Sequence, residues 1–174
     1  MSSAPFRLAP LDVAYDRTVF NSGSELLDRY LREQVTQDVR RRVAACFVAL
    51  ADGPRIAGFY TLASASLLLV DLPTSIGKRL PRYPTVPAVR MGRLAVDQAF
   101  KGQGLGGALL ADALDRAARS EIAAYALMVD AKDEVAAAFY QHHGFIALHD
   151  SPLTLFLPLA TALASRETDN QGRH

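Results

Sequence analysis

Four glycines stand within six residues, Gly102-Gln103-Gly104-Leu105-Gly106-Gly107, directly after Lys101. The run Leu94-Ala95-Val96 precedes them, and a helical pattern from Gly104 to Arg119 follows. A strand that turns through glycines into a helix N-terminus points unpaired N–H groups outward, where the helix dipole favours an anion. Glycine lets such a ligand approach the backbone closely, so phosphate binding by main-chain donors is the chemistry this spacing suits. Residues 102–107 also match G-x-G-x-x-G, the dinucleotide fingerprint. That fingerprint wants a doubly wound parallel sheet with an acidic residue about 20 positions on, at the end of a second strand. Here Asp115 and Glu121 fall on or just after the helix, and the upstream strands read as antiparallel. No G-x-x-x-x-G-K-[ST] occurs. A tight turn without a ligand would carry the glycines at a cost to stability and no return.

The elements that must position this loop follow from periodicity. Phe6 to Leu8 predicts a short strand. Asn21-Ser22-Gly23-Ser24 supplies turn and N-cap chemistry, and Leu26, Leu27, Tyr30, Leu31 and Val35 recur at helical spacing, which predicts one or two amphipathic helices over 24–42. Val43 to Ala51 is continuously apolar and predicts a buried strand. Asp52-Gly53-Pro54 is a turn, and Ile56 to Ala65 an antiparallel partner with Phe59 and Tyr60 on opposite faces. Prolines 73, 81, 84 and 87 punctuate a loop with a short helix near Ser75 to Arg79, before a strand over Val86 to Val96. On the helix after the glycines, Leu105, Ala108, Leu109, Ala113 and Ala117 predict the packing face. Tyr125 to Val129 reads as a buried strand, Lys132 to His143 as a helix stopped by Gly144, and Ile146–Leu148 with Leu153–Leu157 as a closing strand pair. The order is that of one α/β (α+β) sheet domain over residues 1–160, followed by a polar, frayed tail over 161–174.

Composition narrows the function classes. The chain has 174 residues, half of them hydrophobic and 21% charged. That is soluble and globular, and long enough to bury about two-thirds of its unfolded surface. A single cysteine, Cys46, allows no internal disulfide framework and excludes most structural zinc sites, and no metal is expected. The cysteine lies in an apolar run and reads as core. No apolar run approaches the roughly 18 residues of a membrane span, and Met1 to Pro10 lacks the pattern of a secretory signal. A cytoplasmic protein is expected. Net charge is only +1, but it is unevenly spread. Between Arg29 and Arg93 eleven basic residues face four acidic ones, leaving +7 there and −6 elsewhere. Ten of those eleven are arginine, which suits bidentate phosphate contacts, so an anionic partner is expected near this stretch.

Residues 93–110 resemble the central motif of the GNAT superfamily of N-acetyltransferases, Gln/Arg-x-x-Gly-x-Gly/Ala, which lies over the acetyl-CoA pyrophosphate. Gly104 and Gly106 match, and Lys101 stands where the family has Gln or Arg. The resemblance is wider. Phe20-Asn21-Ser22-Gly23, Leu27-Asp28, Tyr30-Leu31, Phe59-Tyr60-Thr61-Leu62, Leu80-Pro81-Arg82-Tyr83-Pro84, Gly92-Arg93-Leu94-Ala95-Val96-Asp97, Val129-Asp130-Ala131-Lys132-Asp133, Phe139-Tyr140 and Gly144-Phe145 occur in this order. Together, over roughly residues 15–160, they are similar to the acetyltransferase toxins of bacterial toxin–antitoxin pairs.

That resemblance implies a mixed, mostly antiparallel sheet splayed at two parallel strands, Gly92–Val96 and Tyr125–Val129, with helices on both faces. It implies acetyl-CoA as co-substrate, bound by Leu94, Ala95, Val96, Lys101, Gly102, Gln103, Gly104, Leu105, Gly106 and Gly107. It also implies aminoacyl-tRNA as acceptor, a ribbon-helix-helix antitoxin that carries the DNA binding, and a homodimer. Tyr140 takes the position of the family's general acid, which returns a proton to the CoA sulfur. A phenol keeps its proton at neutral pH, since its ordinary pKa is about 10 against about 8.5 for a thiol. No general base stands out, and an α-amine with a pKa of roughly 8 is already partly neutral. His142 and His143 read as helix C-terminal residues and Glu134 as an exposed first-turn carboxylate. The arginine-rich stretch gains a use as a tRNA surface: Arg40, Arg41, Arg42, Lys78, Arg79, Arg82, Arg90 and Arg93. Arg93 also sits beside the strand core, where it could pair with an internal carboxylate. Two readings stay beside the toxin: an acetyltransferase of a small amine or protein N-terminus, and a module that only binds CoA or nucleotide.

Overall fold

A computed structural model describes residues 6–164. Seven strands form one sheet: β1 (Arg7–Pro10), β2 (Ala45–Leu50), β3 (Ile56–Leu68), β4 (Thr85–Val96), β5 (Ala126–Asp130), β6 (Ile146–Leu148) and β7 (Ser151–Pro158), in the order β1-β2-β3-β4-β5-β7-β6. Pairing is antiparallel at β1–β2, β2–β3, β5–β7 and β6–β7, and parallel at β4–β5. The helices are α1 (Glu25–Arg29), α2 (Val35–Arg40), α3 (Thr74–Gly77), α4 (Leu105–Arg119) and α5 (Glu134–His142), with a π-helical turn, Tyr30–Gln34, joining α1 to α2. This is the mixed α/β class expected from the sequence. The chain divides into two compact units, residues up to Ala63 with Gly92–Ala113, and Ser64–Met91 with residues from Leu114 onward.

In the first unit β3 alternates its side chains between two helical layers. Phe59 packs on Phe20 and Tyr30, with ring centroids 5.6 and 6.5 Å away. Its neighbours Gly58 and Tyr60 face α4. A Cβ on Gly58 would lie 2.8 Å from Leu109 Cδ1, so glycine here is what lets α4 close onto the strand. Tyr60 donates its hydroxyl to Asp112 of α4 at 2.5 Å. The core under α1 and α2 is Phe20, Tyr30, Leu31, Val35, Cys46, Val48, Leu50, Ile56, Phe59 and Ala95.

The helical run 25–40 keeps its face buried through the π turn, in which Val35 N–H reaches back to Tyr30 O. The added residue brings Val35, rather than Gln34, under the sheet with Tyr30 and Leu31. Leu26 departs from the expected face and is 78% exposed, while Asp28 is buried in its place. The Asp28 carboxylate accepts from Ser22 N and Ser22 Oγ at 2.9 and 2.7 Å, which compensates its burial. Val43 is also exposed, because α2 ends on Arg41 and the strand begins only at Ala45. On α4 the expected Ala108 is exposed, and Leu110 takes the buried place beside Leu105, Leu109, Ala113 and Ala117.

The second unit has its own core: Leu67, Leu72, Val86, Ala88, Ala126, Met128, Leu148 and Phe156. Strand β5 is covered on both faces, which is why its sequence is apolar without alternation. The parallel ladder runs from Ala88–Ala126 to Met91–Val129, upstream of the expected Gly92–Val96 segment, while β4 itself continues to Val96. Asp133 caps α5 by accepting from Ala136 N at 2.8 Å, and Gly144, with φ +93°, ends its chain reversal. Residues 159–164 are helical. The rest of the expected tail, 165–174, lies outside the described residues.

Candidate active site

The glycine loop leaves β4 through Asp97 and a short 3₁₀ turn, Gln98–Phe100, and enters α4 at Leu105. Gly102 and Gly104 have φ of +81° and +77°, the left-handed region that side-chain-bearing residues rarely adopt. A Cβ on either would meet nothing within 4 Å. Backbone conformation, not crowding, therefore demands these glycines, and the loop presents open main chain ahead of a helix of fifteen residues. That is the form of a phosphate cradle. Of the other residues expected to hold the co-substrate, Ala95 is buried, and Leu94, Val96, Gly106 and Gly107 are half-buried. Lys101 and Gln103 are exposed.

The base of the loop is tied down by a group the sequence motif did not assign. Asp97 is 4% exposed. Its carboxylate accepts from Ala99 N at 2.8 Å and from Asn21 N at 2.9 Å. Gln98 N donates to Asn21 O at 2.8 Å, and Lys101 Nζ donates to Ser22 O at 3.0 Å. Asn21 Oδ1 in turn accepts from Gly23 N at 3.0 Å. The signal for this was present as Asn21-Ser22-Gly23 and Asp97, but the two lie 76 residues apart, and nothing in one sequence joins them.

Tyr140 lies on α5, 8% exposed, with Phe139 and Phe145 against its ring at 5.3 and 5.6 Å. Burial pushes its phenol up to about 12. The group is therefore protonated throughout the neutral range and has a proton to donate. His143 packs on Phe139 at 4.8 Å, and desolvation, then the neighbouring His142, hold its pKa below the usual value. Cys46 is buried, which raises its thiol to about 12 and leaves it inert.

The arginines sort into two kinds. Arg40, Arg41 and Arg42 end α2 and are exposed, as are Lys78, Arg79 and Arg82 after α3. Arg90 and Arg93 have partners. Arg90 Nε lies 3.5 Å from Asp130 Oδ2, and Thr154 donates to the same carboxylate at 2.9 Å. Arg93 lies over the Tyr30 ring, 3.5 Å from its centroid. The Tyr30 hydroxyl donates to Asp38 at 2.8 Å. Asp38 is held below the usual carboxylate range, first by Gln34, then by that hydroxyl, with Arg93 adding charge. Arg93 thus packs the π turn onto β4 through the Tyr30 ring, where its place beside the core suggests an internal carboxylate as partner.

A left-handed glycine loop with the form of a phosphate cradle, fed by a strand of a mixed sheet and leading into a long helix, is a frame suited to an acyl-CoA enzyme. The model of the acetyltransferase (GNAT) domain matches residues 42–147. The chain belongs to the GNAT family of acetyltransferases. It is 39% identical over 164 residues to the tRNA-acetylating toxin of Mycobacterium tuberculosis (strain ATCC 25618 / H37Rv), covering 93% of this chain and 95% of that relative. It superposes on AtaT complexed with acetyl-methionyl-tRNAfMet with a TM-score of 0.84 at 29% identity, over 90% of this chain and 96% of that one. A tyrosine-to-phenylalanine variant of AtaT bound to the C-terminus of the antitoxin AtaR and acetyl-CoA gives 0.77 at 25% identity, over 91% and 96%. As a GNAT acetyltransferase the chain is an acyltransferase. Among the described residues, no helix is long and apolar enough to cross a membrane, and no group of three or more His, Cys, Asp or Glu is placed to hold a metal ion.

Proposed function

We propose that this chain is the toxin of a toxin–antitoxin pair, an enzyme that moves acetyl from acetyl-CoA to the α-amine of aminoacyl-tRNA and so blocks translation. The observation that carries the reading is the 39% identity, over 93% of the chain, to a tRNA-acetylating toxin. The left-handed glycines of the loop supply the matching chemistry. Main-chain N–H groups of Gly102–Gly107 hold the pyrophosphate, and those near Ala95 and Val96 hold pantetheine or the thioester oxygen. The neutral α-amine attacks the thioester carbon, the tetrahedral oxyanion collapses, and the C–S bond breaks. The attacking amine passes its proton to water, the thiolate takes one from Tyr140, and the phenolate is reprotonated from water, so the proton count closes. A phenol raised to about 12 gives up its proton reluctantly to a thiolate near its ordinary value. The same apolar surroundings raise the basicity of a thiolate formed there, which narrows the gap.

Arg40, Arg41, Arg42, Lys78, Arg79 and Arg82 meet tRNA phosphates, with Arg90 and Arg93 contributing only at the cost of their present partners. A ribbon-helix-helix antitoxin with an acidic segment covers this basic surface and carries the contact to DNA. The enzyme acts in the cytoplasm as a homodimer. The test is transfer of labelled acetyl from acetyl-CoA to charged tRNA, beside uncharged tRNA and free amino acids. Label on charged tRNA alone is the expected result. Acetyl-CoA binding without label on any RNA would point instead to a small amine or a protein N-terminus as acceptor.

A further inference from the structure

The loop motif places Lys101 among the residues expected to hold the co-substrate, yet its ammonium is bonded to Ser22 O. That carbonyl belongs to a residue only 8% exposed, in the turn that starts α1, and a buried carbonyl needs a donor. Two more bonds converge there from the same loop, the Asp97 carboxylate on Asn21 N and Gln98 N on Asn21 O. On the far side of the turn, Ser22 is gripped by Asp28 of α1, and Ser24 caps that helix by accepting from Leu27 N. The turn is thus bonded on one side to the base of the glycine loop and on the other to the helical run that ends in Arg40, Arg41 and Arg42.

We infer that Lys101 and Asp97 are positioning residues that lock the Asn21–Ser24 turn, and with it the arginine-ended helical run, to the loop that holds the co-substrate. Lys101 is a strut for the RNA-side helix and not a ligand of the CoA phosphates. This rests on the RNA reading above only for what the helix is held to do. The lock itself is tested without it.

The experiment compares wild type with K101M and K101R. Lys101 is exposed, so neither change threatens the fold. Backbone hydrogen exchange is read at Gly23, Ser24, Leu27, Asp28 and Gln98, CoA and pantetheine affinities by calorimetry, and KM for charged tRNA at saturating acetyl-CoA. Loss of a charge-assisted hydrogen bond should speed exchange about tenfold in K101M, with K101R close to wild type. CoA and pantetheine affinities should both stay within about twofold, while KM for charged tRNA rises about tenfold and kcat holds. Unchanged exchange in K101M overturns the lock. A loss of CoA affinity that spares pantetheine overturns the strut, because it shows a phosphate ligand. If wild type acetylates no charged tRNA, the RNA reading fails, and exchange together with the two affinities still decides the lock and the strut.

Discussion

Around Gly102 and Gly104 an added Cβ would meet nothing within 4 Å, whereas the Tyr140 ring is closed in by Phe139 and Phe145 and is 8% exposed. In the proposed mechanism the loop works through exposed main chain shaped by its backbone angles, and the tyrosine through one side-chain oxygen whose acidity is set by burial. Electrostatic holding of a phosphate tolerates an open, wet site, because the ligand brings its own charge to several N–H donors. Proton transfer needs one group in one protonation state, and an apolar wall is the simplest way to fix that state. The two regions should therefore fail differently, the loop in binding and the tyrosine in turnover.

The sharpest division comes from Tyr140→Phe. It removes one oxygen and keeps the ring among its neighbours. Loss of a general acid typically costs about 10²- to 10⁴-fold, so kcat for charged tRNA should fall by that factor while CoA affinity and melting temperature stay near wild type. Turnover within threefold of wild type (roughly 0.7 kcal/mol on the barrier) would remove Tyr140 as the acid. Gly104→Ala should do the reverse. The added methyl has room but forces a left-handed alanine, costing about 1–2 kcal/mol. If the loop relaxes to avoid that strain, CoA affinity should fall by roughly tenfold, by calorimetry, with kcat at saturating acetyl-CoA little changed.

How far these roles were legible depended on how local they are. Glycine spacing, Gly144 and the run of β5 announce themselves within a few residues, and the structure puts them where the sequence reading does. Tyr140 is visible as a residue, but not as a buried one. Leu26 and Ala108 show the limit from the other side. Both fit a helical stripe, and both are exposed, because Asp28 is anchored by Ser22 and because α4 turns Leu110 inward instead. The arginine count likewise hides a division. Arg90 and Arg93 are engaged by Asp130 and Tyr30, partners separated from them by tens of residues, while the run at the end of α2 is exposed.

Alkaline titration probes the buried side of the comparison, together with Tyr30 and Tyr125, whose phenols burial also raises. The Tyr140 phenol sits near 10 in the unfolded chain and is raised to about 12 in the fold, and the Cys46 thiol moves from 9.0 to about 12, both by burial. A group raised in the fold leaves stability intact below its unfolded value and lowers it as pH climbs through the folded one. Urea midpoints should hold to about pH 9 and then fall toward pH 12, more gently in Tyr140→Phe and in Cys46→Ala measured against its own neutral-pH value. A midpoint flat to pH 12 would mean that neither group is shielded from water.

The smallest effect tests whether left-handed backbone is reserved for the cradle. Arg42, at the end of α2, has φ +60° and is the one non-glycine residue in that region among those described. Its neighbours close the helix as a glycine cap would, with Arg42 N on Val39 O and Val43 N on Asp38 O. An arginine there carries the strain that Gly102 and Gly104 avoid, and in exchange it extends the exposed guanidinium run beyond Arg41. Arg42→Gly should raise stability by roughly 0.5–1 kcal/mol in urea, since relief of the left-handed strain outweighs the added freedom of the unfolded chain. Arg42→Ala should not, because it keeps the Cβ. If the α2 end is the RNA surface, Arg42→Gly should also weaken charged tRNA binding and shallow its salt dependence by about one phosphate contact. A variant that is more stable and binds tRNA unchanged would leave the strained arginine without a use and move the RNA surface to Lys78, Arg79 and Arg82.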